Sequence, residues 1–195
     1  MTRFLQVLLL CLVACLPARA LTIAEQTDLM EALSLGAQGD WARVDVLRAQ
    51  IKDPLARDLV DWVRLRGRQG SFTDCRDFLR RNPDWPGIKL LRRRCEYNIP
   101  RGHNADQVID YFAVQEPQTG TGSLRFAEAL IGKERGVEAA AELKRAWLTF
   151  NLSGPEHDAF VERNGATIKD LHEARLDMLL SVSYTHLTLP TKRKV

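Results

Sequence analysis

Most of this sequence is a series of short segments in which apolar residues recur every three or four positions, with no alternating run of β-branched residues between them. That spacing places apolar side chains on one face of an α-helix. Residues that cap helices stand before several segments, at Asp40, Asp53, Ser71 and Ser153. The pattern therefore predicts an all-α fold. Because the connecting turns are very short, it favours a solenoid, or α-superhelix, of short antiparallel helix pairs over a four-helix bundle.

Glycine, proline and capping residues set the predicted helix boundaries. Gly36 is predicted to close the first helix, and Asn82–Pro86 is predicted to form a tight corner. The predicted helices are Thr22–Leu35, Asp40–Ile51, one opening at Asp53-Pro54, one from Ser71 to near Asn82, one from the corner to about Tyr97, Asn104–Glu116, Gly122–Arg135, Val137–Asn151, Ser153–Asn164 and Thr167–Leu180. Predicted apolar faces are Leu55, Leu59, Trp62 and Val63 in the helix after Asp53, and Val137, Ala140, Leu143, Trp147 and Phe150 in the helix from Val137.

The first 20 residues have the pattern of a secretory signal peptide. A short basic start is followed by the apolar run Phe4–Leu16 and by a small-x-small end that closes at Ala20. The run is too short to span a bilayer, which needs about 20 apolar residues. We expect cleavage between Ala20 and Leu21 and a periplasmic product.

A lipoprotein is the alternative outcome of export. The stretch Leu12–Cys15 resembles a bacterial lipobox, which would make Cys15 a lipidated N-terminus. The site at Ala20 is equally well formed, and we favour the product without a lipid.

Residues 182–195 differ in character from the helical segment before them. They contain no acidic residue, and Pro190 would end a helix there. Their sequence resembles one translated reading frame of a transposase adapter used to build sequencing libraries. We therefore expect residues 182–195 to be foreign to the natural protein, whose own sequence would differ after Leu180. A disordered basic tail is the alternative.

The two ends also account for the apparent positive charge. The chain carries 28 Lys and Arg against 25 Asp and Glu, a formal net charge of +3. Two basic residues lie in the signal segment and three in residues 182–195, which leaves 23 basic against 25 acidic residues and a charge of −2 for residues 21–181. This balance, together with export, gives no case for nucleic acid as a partner.

Two groups of residues carry a resemblance to a known family. The first is Asp61–Leu65 with Phe72, Phe78-Leu79 and the corner Asn82–Pro86. The second is Asn164-Gly165-Ala166 with the segment His172–Leu180, which has a His-x-x-Arg-x-Asp pattern. These residues resemble the N-terminal superhelical domain of the soluble lytic murein transglycosylases. The resemblance covers nearly all of residues 21–181, and its motifs are packing motifs.

The resemblance implies that this chain is the incomplete accessory domain of a peptidoglycan-cleaving enzyme. In the family, a long superhelix forms an open or closed ring. A lysozyme-like domain downstream cleaves the N-acetylmuramic acid to N-acetylglucosamine bond without water and leaves a 1,6-anhydro sugar. Its acid/base glutamate stands in a Glu-Ser motif. None of the eleven glutamates here precedes a serine. We therefore expect no catalytic residue and no cofactor in this chain, which would act on peptidoglycan only through the missing domain.

Other candidate sites are weak. The acidic pairs Glu156/Asp158 and Asp58/Asp61 lie on predicted polar helix faces, where solvation is the better interpretation. The histidines His103, His157 and His172 lack metal-ligand spacing, so we expect no metal site. His172 is expected to pack or hydrogen-bond between helices. Gly120-Thr121-Gly122 lacks the lysine and hydroxyl residue of a phosphate loop.

A basic patch is the one surface feature that the sequence singles out. Between Arg64 and Arg101, eleven basic residues stand against four acidic ones, about +7 locally. One interpretation is a solvated face with local ion pairs. The other is a surface for an anionic envelope partner. The arginines of the patch are Arg64, Arg66, Arg68, Arg76, Arg80, Arg81, Arg92, Arg93 and Arg94.

Cys75 and Cys95 are the cysteines that remain after removal of the signal peptide. Export would place them in an oxidising compartment. They stand nine residues before and eleven after Asp84 in the predicted corner, so an antiparallel hairpin would bring them to similar height. A bridge also requires Cα atoms within about 7 Å. The pair is a candidate disulfide, with two separate buried thiols as the alternative.

Two classes of function therefore follow from the sequence. The first is the accessory domain of a periplasmic lytic transglycosylase. The second is a free-standing periplasmic helical-repeat scaffold that binds other proteins.

Overall fold

The computed structural model describes residues 20–187 and, for residues 182–187, only the backbone. Residues 1–19, which contain the predicted lipobox and all but the last residue of the predicted signal peptide, and residues 188–195 lie outside this part. Every regular element within 20–187 is a helix, so the all-α prediction is confirmed. The elements are α1 (Ile23–Gln38), α2 (Trp41–Gln50), α3 (Pro54–Arg66), α4 (Phe72–Arg81), α5 (Ile88–Cys95), the 3-10 turn η1 (Glu96–Asn98), α6 (Ala105–Ala113), α7 (Gly120–Ile131), α8 (Gly136–Thr149), α9 (Gly154–Ile168), the 3-10 turn η2 (Lys169–Leu171) and α10 (His172–Leu187).

The described residues form two compact units that divide between Arg64 and Leu65, within α3. The sequence predicted one helical domain over residues 21–181. The physical basis of the division is that each unit has an apolar core of its own. The first core is Ala32, Leu35, Val44, Ile51, Ala56 and Val60. The second unit contains the core cluster Leu124, Ala127, Leu130, Ala139, Leu143, Ala146, Trp147, Phe160 and Ile168.

In the first unit, α1 packs against α2. Thr22 caps α1 in a capping box with Glu25, so the helix begins directly after the predicted cleavage site. The prediction that Gly36 ends this helix is wrong, because α1 continues to its left-handed cap Gly39 at φ +82°. Gly36 is buried within α1, where an added Cβ would lie 3.3 Å from the ring of Trp41. This glycine therefore serves helix packing and does not end the helix.

Two predicted apolar faces each include one residue that the structure leaves exposed. In α3, Ala56 and Val60 are buried, whereas Leu55 is 67% exposed. In α8, Leu143 and Trp147 are buried as predicted, but Val137 is 86% exposed. Both errors fall in the first turn of a helix, where an apolar residue can lie beyond the area that its neighbours cover.

In the second unit, helices pack mainly on their neighbours in sequence. α7 packs against α6 and α8, and α8 packs against α9. Further contacts join α7 to α9 and α8 to α10. Packing on the next helix and the next but one is the arrangement expected of stacked helix pairs.

The predicted break near Asn164 corresponds to a kink. Asn164 has φ −127° and ψ 16° inside α9, which then continues to Ile168. The turn η2 separates α9 from α10, so the predicted helix from Thr167 begins at His172 instead. The backbone of α10 extends past Ser181 to Leu187, where the sequence had predicted a change of character.

The corner between α4 and α5 is held by a disulfide and an aromatic pair. Cys75 and Cys95 are bonded, with Cα atoms 6.0 Å apart, and both side chains are buried. The rings of Phe78 and Trp85 meet edge to face at 5.5 Å. α4 begins with the predicted capping box, in which Ser71 N–H donates to Asp74 at 2.7 Å.

We predict that the disulfide forms under oxidising conditions and stabilises the protein. Closing a loop of this length removes unfolded-state entropy worth about 3 kcal/mol, so replacing both cysteines by alanine should lower the free energy of unfolding by about that amount. Thiol titration of the processed, unfolded and non-reduced protein should find no free thiol. Two free thiols per chain would contradict the bridge.

Candidate functional site

The N-terminus of α7 is surrounded by carboxylates. From η1, Glu96 accepts hydrogen bonds from the N–H of Gln118 at 2.9 Å and from the Thr119 hydroxyl at 2.6 Å. From the first turn of α9, Glu156 accepts from the N–H and hydroxyl of Thr121, at 2.7 and 2.9 Å. Thr119 itself caps the N–H of Gly122. In the first turn of α7, the N–H groups of Thr121 and Gly122, which could otherwise bind an anion, are therefore occupied by the protein's own oxygens.

Gly120 and Gly122 are required by this arrangement. A Cβ at Gly122 would lie within 2.8 Å of the Glu96 carboxyl carbon, and one at Gly120 would lie 2.5 Å from Leu152. The glycines thus allow close approach of side chains to the backbone of α7. The sequence had set these residues aside as an incomplete phosphate loop, and the structure gives them a packing role.

The pKa values of the two carboxylates at this helix end are shifted in opposite directions. Burial raises the pKa of the Glu96 carboxyl, which is 2% exposed, and the hydrogen bonds from Thr119 and Gln118 offset only part of that rise. Burial also acts to raise the pKa of Glu156. There the hydrogen bonds from Ser153 and Thr121 outweigh it, and the pKa lies below its ordinary value.

An open pocket of about 480 Å³ adjoins the segment that Glu96 holds. Its walls are Arg93 of α5, loop residues 115–118 between α6 and α7, Arg145 of α8, and Phe150 just after α8. The polar groups are two guanidiniums, the exposed carboxylate of Glu116 and two glutamine side chains. This combination could bind a small charged ligand.

Arg145 is held rigidly at the pocket wall. It forms two hydrogen bonds to Glu142, both of 2.7 Å, and donates to the carbonyl of Pro117 at 2.9 Å. Its guanidinium also lies over the ring of Phe150, 5.2 Å from the centroid. The bonds to Glu142 use Nε and Nη2, so the guanidinium is fixed before any ligand arrives.

Apart from Arg93, which belongs to the predicted basic patch, the sequence did not predict the residues of this pocket. Glu142 and Arg145 could have been recognised as an ion pair from their spacing of three residues on one helix. Glu96 offered no such signal, because its partners lie 22 and 23 residues away.

Most arginines of the predicted basic patch have separate intramolecular roles. Arg64 pairs with Asp45 at 2.9 Å in the first unit, and Arg80 pairs with Asp77 at 3.0 Å in the second. Arg94 donates to the carbonyl of Arg66. The guanidiniums of Arg68, Arg76 and Arg92 lie over Tyr97, Phe72 and Tyr111. Arg81 is exposed, and Arg93 is exposed at the pocket.

His172 is exposed, so it is not enclosed between helices, but its ring reaches α8 from the first turn of α10. Its ring meets Trp147 edge to face at 5.6 Å. Arg175 is 5% exposed, lies 4.2 Å from the centroid of Trp147, and donates to the carbonyls of Trp147 and Phe150 near the end of α8. A cation at that helix end also suits the helix dipole.

The remaining candidates have local roles. His157 lies 5.3 Å from Trp147 ring to ring, and His103 hydrogen-bonds Gln107 at 3.0 Å. In the part of the chain that the structure describes, no group of three or more potential ligands could hold a metal ion. Of the two acidic pairs, Asp58/Asp61 contributes Asp61 to an ion pair with Arg48, and Glu156/Asp158 contributes Glu156 to helix capping.

We predict that Gly122→Ala destabilises the protein by about 2 kcal/mol or more, because the new methyl would collide with the Glu96 carboxylate. Gly136→Ala, at the first turn of α8, is the matched control, since an added Cβ there meets nothing within 4 Å. Its effect should stay within about 0.5 kcal/mol. Urea unfolding of both variants measures the difference, and equal midpoints would contradict the tight approach.

We also predict opposite pH dependence for two amide variants. The raised pKa of Glu96 means that its carboxyl group binds a proton more tightly in the native state than in the unfolded chain. Its contribution to the stability of the fold therefore falls as pH rises from about 4.3 through the folded pKa. The lowered pKa of Glu156 gives a contribution present above about 4.3 and lost as pH falls through the folded pKa.

The stability lost in Glu156→Gln should therefore grow from acid to neutral pH. The loss in Glu96→Gln should shrink over the same rise. Urea unfolding at several pH values measures both, and slopes of the same sign would contradict these environments.

The chain matches none of the known protein families, characterised proteins or solved structures with which it was compared. Across residues 20–187, no helix is both long enough and apolar enough to cross a membrane. A functional assignment therefore rests on the residues of this chain.

Proposed function

We propose that residues 21–181 are the N-terminal helical accessory domain of a periplasmic lytic transglycosylase. Such an enzyme cleaves peptidoglycan glycan strands to 1,6-anhydromuropeptides. On this proposal the acid/base glutamate belongs to a catalytic domain outside this sequence, and the present chain is inactive alone.

The observation that carries the proposal is the packing role of the residues on which the family resemblance rests. Phe72, Phe78 and Leu79 are buried, and Phe78 meets Trp85 of the Asn82–Pro86 corner. In the second group, Arg175 and His172 both contact Trp147 of α8. Residues that join neighbouring helices are the ones that a superhelical domain would need to keep.

The buried acidic residues of the second unit also support an accessory role. Glu96 is satisfied by backbone and hydroxyl donors, and Glu142 by Arg145. A general acid needs reach to a substrate oxygen, and both carboxylates are instead bonded within the fold. Export is proposed from the signal pattern, and α1 begins just after the expected cleavage site.

A free-standing periplasmic scaffold is the second candidate. It is favoured by the exposed apolar residues Val114, Ile131 and Val137 of the second unit, since such residues can serve protein contacts. Anionic envelope partners remain a proposal for either function, with Arg93 as the exposed arginine at the pocket.

We predict that the natural gene continues in frame beyond the codon for Leu180 and encodes a downstream domain with a Glu-Ser motif. Amplifying and reading the genomic locus tests this. A natural stop codon close to Leu180, or a continuation without that motif, would favour the scaffold.

The matched biochemical test uses peptidoglycan sacculi. The full-length product should release anhydromuropeptides, because it includes the acid/base glutamate. The present chain should release none. Release by this chain that is lost on mutating one of its own glutamates would overturn the proposal.

A further inference from the structure

The open pocket of the second unit combines opposite charges on a rigid frame. Arg93 and Arg145 line it together with the exposed Glu116. Glu142 already neutralises much of the charge of Arg145 through two hydrogen bonds. The remaining charge is balanced between the Arg93 guanidinium and the Glu116 carboxylate.

This balance selects the chemistry of a ligand. A doubly charged phosphate would be attracted by Arg93 but repelled by Glu116, and the backbone donors at the start of α7 are already occupied. A molecule with one carboxylate and one ammonium group would satisfy both side chains. The side-chain amides of Gln115 and Gln118 can each donate and accept hydrogen bonds, as a peptide group requires.

One part of the pocket wall is also preorganised. Arg145 is fixed by Glu142, by the carbonyl of Pro117 and by Phe150. Gln118 is tied to buried Glu96 through its backbone N–H. Binding would therefore cost little further ordering of Arg145 and of the Gln118 backbone, whereas the exposed side chains of Arg93 and Glu116 would be ordered by the ligand.

We propose that this pocket binds a short peptide through one free carboxylate, at Arg93 and Arg145, and one free amine, at Glu116. The proposal goes beyond the function proposed above and does not depend on it, because it concerns only residues of this chain. It applies equally to an accessory domain and to a free-standing scaffold.

The test is an NMR titration of the full, isotopically labelled chain with the dipeptide Ala-Ala. A ligand of this size should bind with a Kd of about 1–10 mM. The NMR signals of the backbone amide of Gln118 and of the Nε–H of Arg145 should change position as the ligand binds. N-acetyl-Ala-Ala, which lacks the amine, and Ala-Ala amide, which lacks the carboxylate, should each bind about fivefold more weakly.

Charge-removing variants assign each end of the ligand. Arg93→Gln should weaken the binding of Ala-Ala and N-acetyl-Ala-Ala but leave the binding of Ala-Ala amide unchanged. Glu116→Gln should weaken the binding of Ala-Ala and Ala-Ala amide but leave the binding of N-acetyl-Ala-Ala unchanged. The matched controls Arg101→Gln and Glu162→Gln remove exposed charges outside the pocket and should bind as the parent does.

Several results would overturn the proposal. They are the absence of a saturable shift up to about 50 mM dipeptide, shifts at residues away from the pocket, and equal affinity in all variants. Tighter binding of inorganic phosphate than of Ala-Ala would also overturn it. The folded state of each variant is checked by its helical circular dichroism, and Arg145 is left intact because its loss would strand buried Glu142.

Discussion

The start of α7 is the point on which the second unit depends. Its N–H groups would be unsatisfied without partners from other segments. Glu156 from α9 and the local cap Thr119 supply partners within the first turn, and Glu96 from η1 binds Gln118 and Thr119 directly before it. Two segments far apart in sequence are thereby tied to one helix end. The cost of leaving a buried donor unpaired makes these bonds obligatory.

The pocket follows from the same constraint. Glu96 holds the backbone at Gln118, and Arg145 holds it at Pro117, so the loop that forms one wall has a fixed course. Arg145 is in turn positioned by Glu142 on its own helix. The disulfide from Cys75 to Cys95 fixes α5, which carries Arg93 and leads directly into Glu96. Structural bonds of the fold thus arrange the charged groups that a ligand would meet.

Local features of the fold could be predicted from the sequence, because they depend on neighbouring residues. The capping boxes at Ser71 and Ser153 and the corner at Asn82–Pro86 are of this kind. The errors arose where distant contacts decide. Gly36 lies inside α1, where it faces Val63 of α3, and the start of α7 at Gly120 packs against Leu152 and Glu156. The candidate site was invisible for the same reason. Its organising residue, Glu96, has partners 22 and 23 residues away that no periodicity reveals.

Amide hydrogen exchange tests this central role of the α7 N-terminus most directly. If the two carboxylates hold this helix end, the amide of Thr121 in its first turn and the amide of Gln118 just before it should exchange slowly, close to the rate set by opening of the core. The amide of Val137, in the first turn of α8, is the comparison, since the N-cap Arg135 provides no side-chain hydrogen bond there. It should exchange fast. Exchange of Gln118 and Thr121 as rapid as that of Val137 would contradict the account.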